Sequence, residues 1–245
     1  MPVMQKALIL CLLTTTELFA GASTLKKGRI YFGYSYTFSE TDVRTLANGN
    51  RVAYPYNTYA AHYFTVLGAV HDRLNLFMNL PYVQTREPYA SAPDMNALGD
   101  LSLGVKYALY QDASFQFAIS GEFKTPASAY ETNEHTSIGN GQNDYISSLY
   151  LSSGLFYLLY QSFDLKISYK FRDKDPPDQF IALLSYALYP LPFLTLSAFI
   201  SHNESLTGPN LGDPGSTLNN INVDYTLYGA KLGLNLFRPI YLEAS

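Results

Sequence analysis

An all-β chain folded as an antiparallel up-and-down transmembrane β-barrel is predicted by three observations on this 245-residue sequence. Apolar residues recur at every second position over runs of ten to twelve residues, the period of strands with two unlike faces. Short and long links between these runs strictly take turns, as in barrels whose tight periplasmic turns alternate with longer external loops. Charged residues within the runs keep to the face opposite the apolar one, where they escape the roughly 2–4 kcal/mol that Lys or Arg costs at a bilayer midplane.

Composition supports the same class. Only 15% of residues are charged, against about a quarter in a typical soluble domain. With 47% hydrophobic and 15% aromatic residues, the chain can bury enough surface to offset the entropy of ordering, which excludes disorder. Beyond the N-terminal segment, no stretch approaches the roughly 20 apolar residues of a helical span. A pI near 5.5 and scattered basic residues leave no footprint for phosphate, so nucleic acid is not expected as a partner.

The elements follow in order. Residues 1–22 have the form of a signal peptide, with Lys6 in the first part, an apolar run from Ala7 to Leu13, and Ala20-Gly21-Ala22 at peptidase spacing. Cleavage is expected after Ala22, leaving residues 23–245 as one barrel domain. The single cysteine, Cys11, lies in the leader, so the processed chain has neither disulfide nor thiol chemistry. The first strand is expected over Arg29–Ser39, with Ile30, Phe32, Tyr34, Tyr36 and Phe38 on one face. Strands follow near Thr58–Val70 and Leu74–Thr85. Over Gly99–Tyr110, Leu101, Leu103, Val105, Tyr107 and Leu109 oppose Ser102, Gly104, Lys106 and Ala108. Phe115, Phe117, Ile119 and Phe123 then alternate with Gln116, Ser120, Glu122 and Lys124. A strand near Tyr145–Tyr160 precedes one in which Phe163, Leu165, Ile167, Tyr169 and Phe171 oppose Asp164, Lys166, Ser168, Lys170 and Arg172. The remaining strands are Phe180–Tyr189, Phe193–Asn203 and Val223–Phe237, the last with a phase drift at Gly229 that suggests a bulge.

Short links are expected at His71-Asp72-Arg73, Gln111-Asp112-Ala113, Gln161-Ser162, Pro190-Leu191-Pro192 and Arg238-Pro239. Long ones are expected at Glu40–Asn57, Arg86–Leu98, Ala127–Asn143, Asp173–Asp178 and Glu204–Asn222. Tyr31, Tyr59, Tyr82, Tyr107, Tyr110, Tyr145, Tyr160 and Tyr189 stand near strand ends, where tyrosine can form aromatic girdles in a chain that has no tryptophan. Ten complete strands are readable, and Ile240–Ser245 begins an eleventh. Bacterial barrels usually have even strand counts and closed edges. Either the full-length protein has twelve strands, or Val223–Phe237 closes against Arg29–Ser39 and the tail is loose.

The face opposite the lipid carries Lys106, Glu122, Lys124, Asp164, Lys166, Lys170, Arg172 and Lys231, the candidates for lumen-facing selectivity. Lys166, Lys170 and Arg172 share a face and form a basic ladder that could bias a pore toward anions. The plainer reading is charge balance, with Glu122, Asp164 or other carboxylates on neighbouring strands pairing with the ladder. Ten to twelve strands are compatible with a narrow pore or a filled interior. Gly139-Asn140-Gly141-Gln142 lacks the Lys-Ser/Thr of a phosphate-binding loop. Asp144 and Asp178 stand where loops re-enter strands and are expected to fix loop geometry. His62, His71, His135 and His202 are too scattered for a metal site, and no cofactor is implied. His202 with Glu204, plus Asp144, are the residues an enzyme at the external end would draw on.

Asp72-Arg73-Leu74 running to Leu80-Pro81-Tyr82-Val83 begins a series of short motifs. It continues with Gly99-Asp100-Leu101, Gly104-Val105-Lys106-Tyr107 and Gly139-Asn140-Gly141-Gln142-Asn143-Asp144-Tyr145. Tyr169-Lys170-Phe171-Arg172 leading into Pro176-Pro177-Asp178-Gln179-Phe180 completes it. In this order, over roughly residues 65 to 240, the motifs resemble the outer-membrane β-barrel family named for the meta-pathway of phenol degradation. That resemblance implies a transporter in the outer membrane of a Gram-negative bacterium, passing small aromatic or hydrophobic solutes. It supplies no catalytic residues. Family members usually continue for two further strands, which again suggests twelve.

The expected function is therefore passive uptake of small solutes, with membrane lipid and the solute as partners and no enzymatic activity. The alternatives are an outer-membrane barrel enzyme, a protease or lipid hydrolase, and a non-conducting barrel that binds a partner or stiffens the envelope.

Overall fold

A computed structural model describes residues 21–45, 51–86, 95–112, 114–129, 139, 141–155, 160–173, 177–191, 194–206, 224–237 and 240–244. The expected leader up to residue 20 and His135 lie outside the described residues. Twelve strands form one curled antiparallel sheet. They are β1 (Ile30–Thr45), β2 (Arg51–His71), β3 (Leu74–Arg86), β4 (Met95–Leu98), β5 (Asp100–Gln111), β6 (Phe115–Pro126), β7 (Asp144–Leu155), β8 (Tyr160–Arg172), β9 (Gln179–Leu191), β10 (Leu194–Ser205), β11 (Tyr225–Phe237) and β12 (Ile240–Ala244). Each long strand pairs with the next. β4 branches off β3, so β5 follows β3 in the sheet.

The apolar face of the alternation points outward. Phe32 is 74% exposed, and Tyr34, Phe64, Leu76, Leu103, Leu149, Ile200 and Tyr228 are exposed too. The buried side chains sit on the other face: Thr65, Leu67, Asn75, Phe77, Ser102, Lys106, Ser120, Ser148, Ser168 and Lys231. A soluble barrel would show the reverse distribution, because its apolar face would form the core.

Register explains why the charged residues stay inside. Ser148 pairs with Ser168 and Tyr150 with Lys166 across β7 and β8. Slipping this pair by one residue would turn the lysines of β8 toward lipid, so burial fixes the pairing. The same pairing corrects the expected link at Gln161-Ser162: Gly154 pairs with Ser162 and Leu155 with Gln161, so both residues belong to the ladder of β8.

Four further expectations change. The link Glu40–Asn57 is largely strand, since β1 and β2 continue their ladder to Thr45↔Arg51. The link Arg86–Leu98 contains β4, which pairs with Tyr82–Thr85 of β3. β3 and β5 pair only from Leu74↔Tyr107 to Asn79↔Ser102, and Pro81, which has no N–H to donate, marks where β5 leaves and β4 takes over. Gly99 N–H nevertheless donates to the Pro81 carbonyl at 2.9 Å. The tail is not loose, because β12 pairs with β11 from Leu232↔Ala244 to Phe237↔Ile240.

Gly229 makes no bulge: the β10–β11 register runs unbroken from Leu194↔Leu234 to Asn203↔Tyr225. Its cross-strand partner is Phe199, whose Cζ would lie 2.6 Å from a Cβ placed on Gly229. Phe77 covers its partner Gly104 in the same way, with Cζ 2.1 Å from the Cβ position. Both glycines exist to admit an aromatic ring lying across the inner face.

Candidate functional site

The interior is the place where chemistry-bearing side chains converge. It is built from alternate residues of every long strand. At the long-link end, Asp144 is fully buried at the start of β7. Lys170 Nζ lies 3.7 Å from its Oδ2, and Arg172 Nε lies 3.6 Å from its Oδ1. Gln142 Nε2 donates to Asp144 Oδ1 at 3.0 Å, and Arg172 Nη2 donates to Gln179 Oε1 at 2.8 Å. Beside this group Lys124 pairs with Asp100 at 3.0 Å. Glu122 lies on the same face of β6, in register with Ile146 of β7.

A second group lies deeper. The Lys106 ammonium sits 4.5 Å from the centre of the Tyr150 ring and the Lys166 ammonium 5.5 Å from it. The Tyr150 hydroxyl is 3.1 Å from Ser120 Oγ, and Ser152 Oγ donates to Asp164. Lys231 stands apart from both groups, with its ammonium 5.6 Å from the centre of the Phe199 ring.

The basic ladder of β8 is thus divided. Lys170 and Arg172 share the single carboxylate of Asp144 at one level, while Lys166 lies with Lys106 and Asp164 at another. The charge balance expected from neighbouring carboxylates exists, but its main members are Asp100 and Asp144. Asp144 was expected to fix loop geometry, and its side chain instead anchors the ladder. Its phase could have revealed it, since it falls on the same parity as Ser148 and Tyr150. Asp178 does hold its link, accepting from Arg172 N–H at 3.0 Å and from the Tyr169 hydroxyl at 2.7 Å.

The interior is not polar all round. On β2 and β3 the buried inward residues mix apolar Ala61, Leu67, Phe77 and Val83 with polar Thr65, Asn75 and Thr85. Leu67 packs with Phe77, joined by Tyr31 and Leu25, and Ala61 packs with Val83, joined by Tyr59 and Tyr63. Tyr31 and Tyr59, expected in the outer girdles, therefore face inward. On β5–β8 the inner wall carries Ser102, Ser120, Ser148 and Ser168 with the charged groups.

The segment 21–28 crosses between these walls. At the short-link end Lys27 N–H donates to Asp72 Oδ1 at 2.7 Å, and the Thr24 hydroxyl contacts the Asp72 carbonyl and Gln111 Oε1. Leu25 packs on Leu67 and Phe77 of the β2–β3 wall. Ala22 is fully buried against Ala118 and Tyr150 of the polar wall, and its N–H donates to Ser152 Oγ at 2.6 Å. Lys106 Nζ donates to the Gly21 carbonyl.

The residues an enzyme would draw on are not brought together. His202 lies on the outer face, exposed, with Nδ1 2.9 Å from Thr226 Oγ1. Glu204 is exposed on that same face, whereas Asp144 is inside. Among the described residues, no three His, Cys, Asp or Glu side chains group as metal ligands.

An outward apolar belt around a charged and hydroxyl-lined interior defines the class: an outer-membrane type of β-barrel. A family model described as "Putative MetA-pathway of phenol degradation" matches residues 32–192, about two-thirds of the chain. The chain belongs to that family. Among solved structures, the chain is similar to the crystal structure of an outer membrane channel from Pseudomonas putida F1. The two share 16% identity with a TM-score of 0.67, over 91% of this chain and 88% of that one. No curated protein sequence matches.

Proposed function

We propose that the protein is a passive conduit in the outer membrane of a Gram-negative bacterium, taking up small solutes that have an aromatic or hydrophobic body. The observation that carries this reading is the two-sided interior. One wall offers Leu67, Phe77 and Val83 set among Thr65, Asn75 and Thr85, and the other offers serine hydroxyls and paired charges. A solute with a greasy ring and a polar end can satisfy both, whereas a uniformly polar lumen would favour ions and sugars. The similarity to an outer membrane channel and the family's name agree with it. The charged residues, Lys106, Glu122, Lys124, Asp164, Lys166, Lys170, Arg172 and Lys231, then act as selectivity groups and not as catalysts. His202 and Asp144, on opposite faces, give a hydrolase no shared centre.

Purified protein in planar bilayers and proteoliposomes tests this reading. It predicts conductance, and entry of benzoate faster than entry of gluconate, with the preference reduced by Phe77→Asp. Absence of both current and solute flux would remove the conduit and leave a non-conducting barrel, a reading that the segment crossing the interior favours.

A further inference from the structure

Gly21 and Ala22 behave as parts of the folded barrel, although the spacing Ala20-Gly21-Ala22 predicts that they leave with the signal peptide. Ala22 has no exposed surface, packs against Ala118 and Tyr150, and donates its N–H to Ser152 Oγ, which in turn donates to Asp164. Lys106, 2% exposed, donates to the Gly21 carbonyl. Cleavage after Ala22 would take from the interior a buried methyl group, an N–H donor and a carbonyl acceptor. It would also place the new charged terminus one residue further along, on Ser23.

We propose that the processing site is the Ala20–Gly21 bond, two residues before the one the small-residue pattern favours, so that the mature chain begins at Gly21. A signal peptidase would hydrolyse this amide. Water supplies hydroxyl to the Ala20 carbonyl carbon and a proton to the Gly21 nitrogen, and the leader departs with a carboxylate on Ala20. Ala20 is the last small residue before the pair that the fold retains, and it meets the requirement at the position before the cut. Leu18, two residues earlier, is larger than the pattern prefers, which explains why sequence spacing alone favours the later bond.

The surroundings of Gly21 suit a free terminus. Asp164 Oδ1 lies 3.1 Å from the position of a Cβ on Gly21, so the chain passes close to that carboxylate there. A cavity of about 410 Å³, lined by Gly21, Ser23, Gln116, Ser152, Asp164 and Tyr189 among others, gives it room for water.

The test is the intact mass and N-terminal sequence of the full-length gene product, expressed in a Gram-negative host and purified from membranes. The expected chain starts Gly-Ala-Ser-Thr. A chain starting at Ser23, lighter by one glycine and one alanine residue, overturns the proposal, as does any other start, including an unprocessed chain. Two variants give a reading that does not depend on folding. Ala20→Leu is expected to accumulate precursor, whereas Ala22→Leu is expected to be cleaved normally. Precursor accumulation with Ala22→Leu would contradict the assignment. Solute flux is measured separately, so failure here leaves the conduit reading untouched.

Discussion

Phe77 over Gly104 and Phe199 over Gly229 show how a barrel wall of alternating residues builds a shaped interior from single side chains. An added methyl at Gly104 meets the Phe77 ring, whose nearest carbon would be 2.1 Å away. Gly104→Ala is expected to lower unfolding stability in detergent by about 1–3 kcal/mol, as overpacking does. Combining it with Phe77→Leu should recover part of the loss, and no recovery would contradict the contact. Asp144 is the other decisive residue. Asp144→Asn leaves Lys170 and Arg172 facing a neutral partner, and removing one member of a buried ion pair costs about 3–5 kcal/mol. The same variant should shift the reversal potential in a salt gradient toward anion selectivity. An unchanged potential would place these cations off the conduction path. The inward direction of the lysines was legible from parity on β8. The role of Asp144 was less plain, because an aspartate beside a loop ordinarily caps turns and only its parity with Ser148 and Tyr150 separates the two uses.

Strands with unlike faces were legible as elements, and β5, β6 and β9 lie within a residue or two of their expected bounds, while β8 begins three residues before its expected start. β2 and β3 gave less, because their inner face mixes apolar and polar residues. Leu67 and Phe77 point inward beside Thr65 and Asn75 while Phe64 and Leu76 point outward, so alternation carries little contrast there. The apolar part of the interior was hidden for that reason. β4 was missed because four residues inside a loop give too short a pattern. The turn after β5 gives a prediction at this scale. Asp112 accepts hydrogen bonds from the Tyr110 hydroxyl at 2.5 Å and from the N–H groups of Ser114 and Phe115, each at 2.7 Å. These bonds, that from Tyr110 first, hold its carboxyl below the usual aspartate range. A carboxyl lowered on folding stabilises the fold above its unfolded pKa, and the benefit is lost as pH falls through the folded value. Asp112→Ala should therefore melt lower than the parent protein at neutral pH, and the gap should close as the medium is acidified below the ordinary aspartate range. A gap independent of pH would show that the carboxylate charge does not hold the turn.

At the scale of the molecule, the sheet places an apolar belt outside and divides its interior into a mixed wall on β2–β3, which carries Leu67, Phe77 and Val83 among polar residues, and a polar wall on β5–β8. The segment 21–28 bridges the two. Nothing in the alternation announced that segment, since residues 21–28 show no period and their position depends on contacts made more than forty residues away in sequence, such as Ala22 with Ser152. The outward belt itself was legible, because the lysines and glutamate of one face leave the other face as the one that can meet acyl chains. The chain has one cysteine, Cys11, so in a Cys11→Ser background single cysteines carrying spin labels can be placed along β5 in liposomes. At positions 103, 105 and 107 the labels should collide preferentially with oxygen, which dissolves in the acyl region. At positions 102 and 106 they should be shielded from it. Equal oxygen access at both sets, or greater access at 102 and 106, would contradict the outward orientation on which the whole account rests.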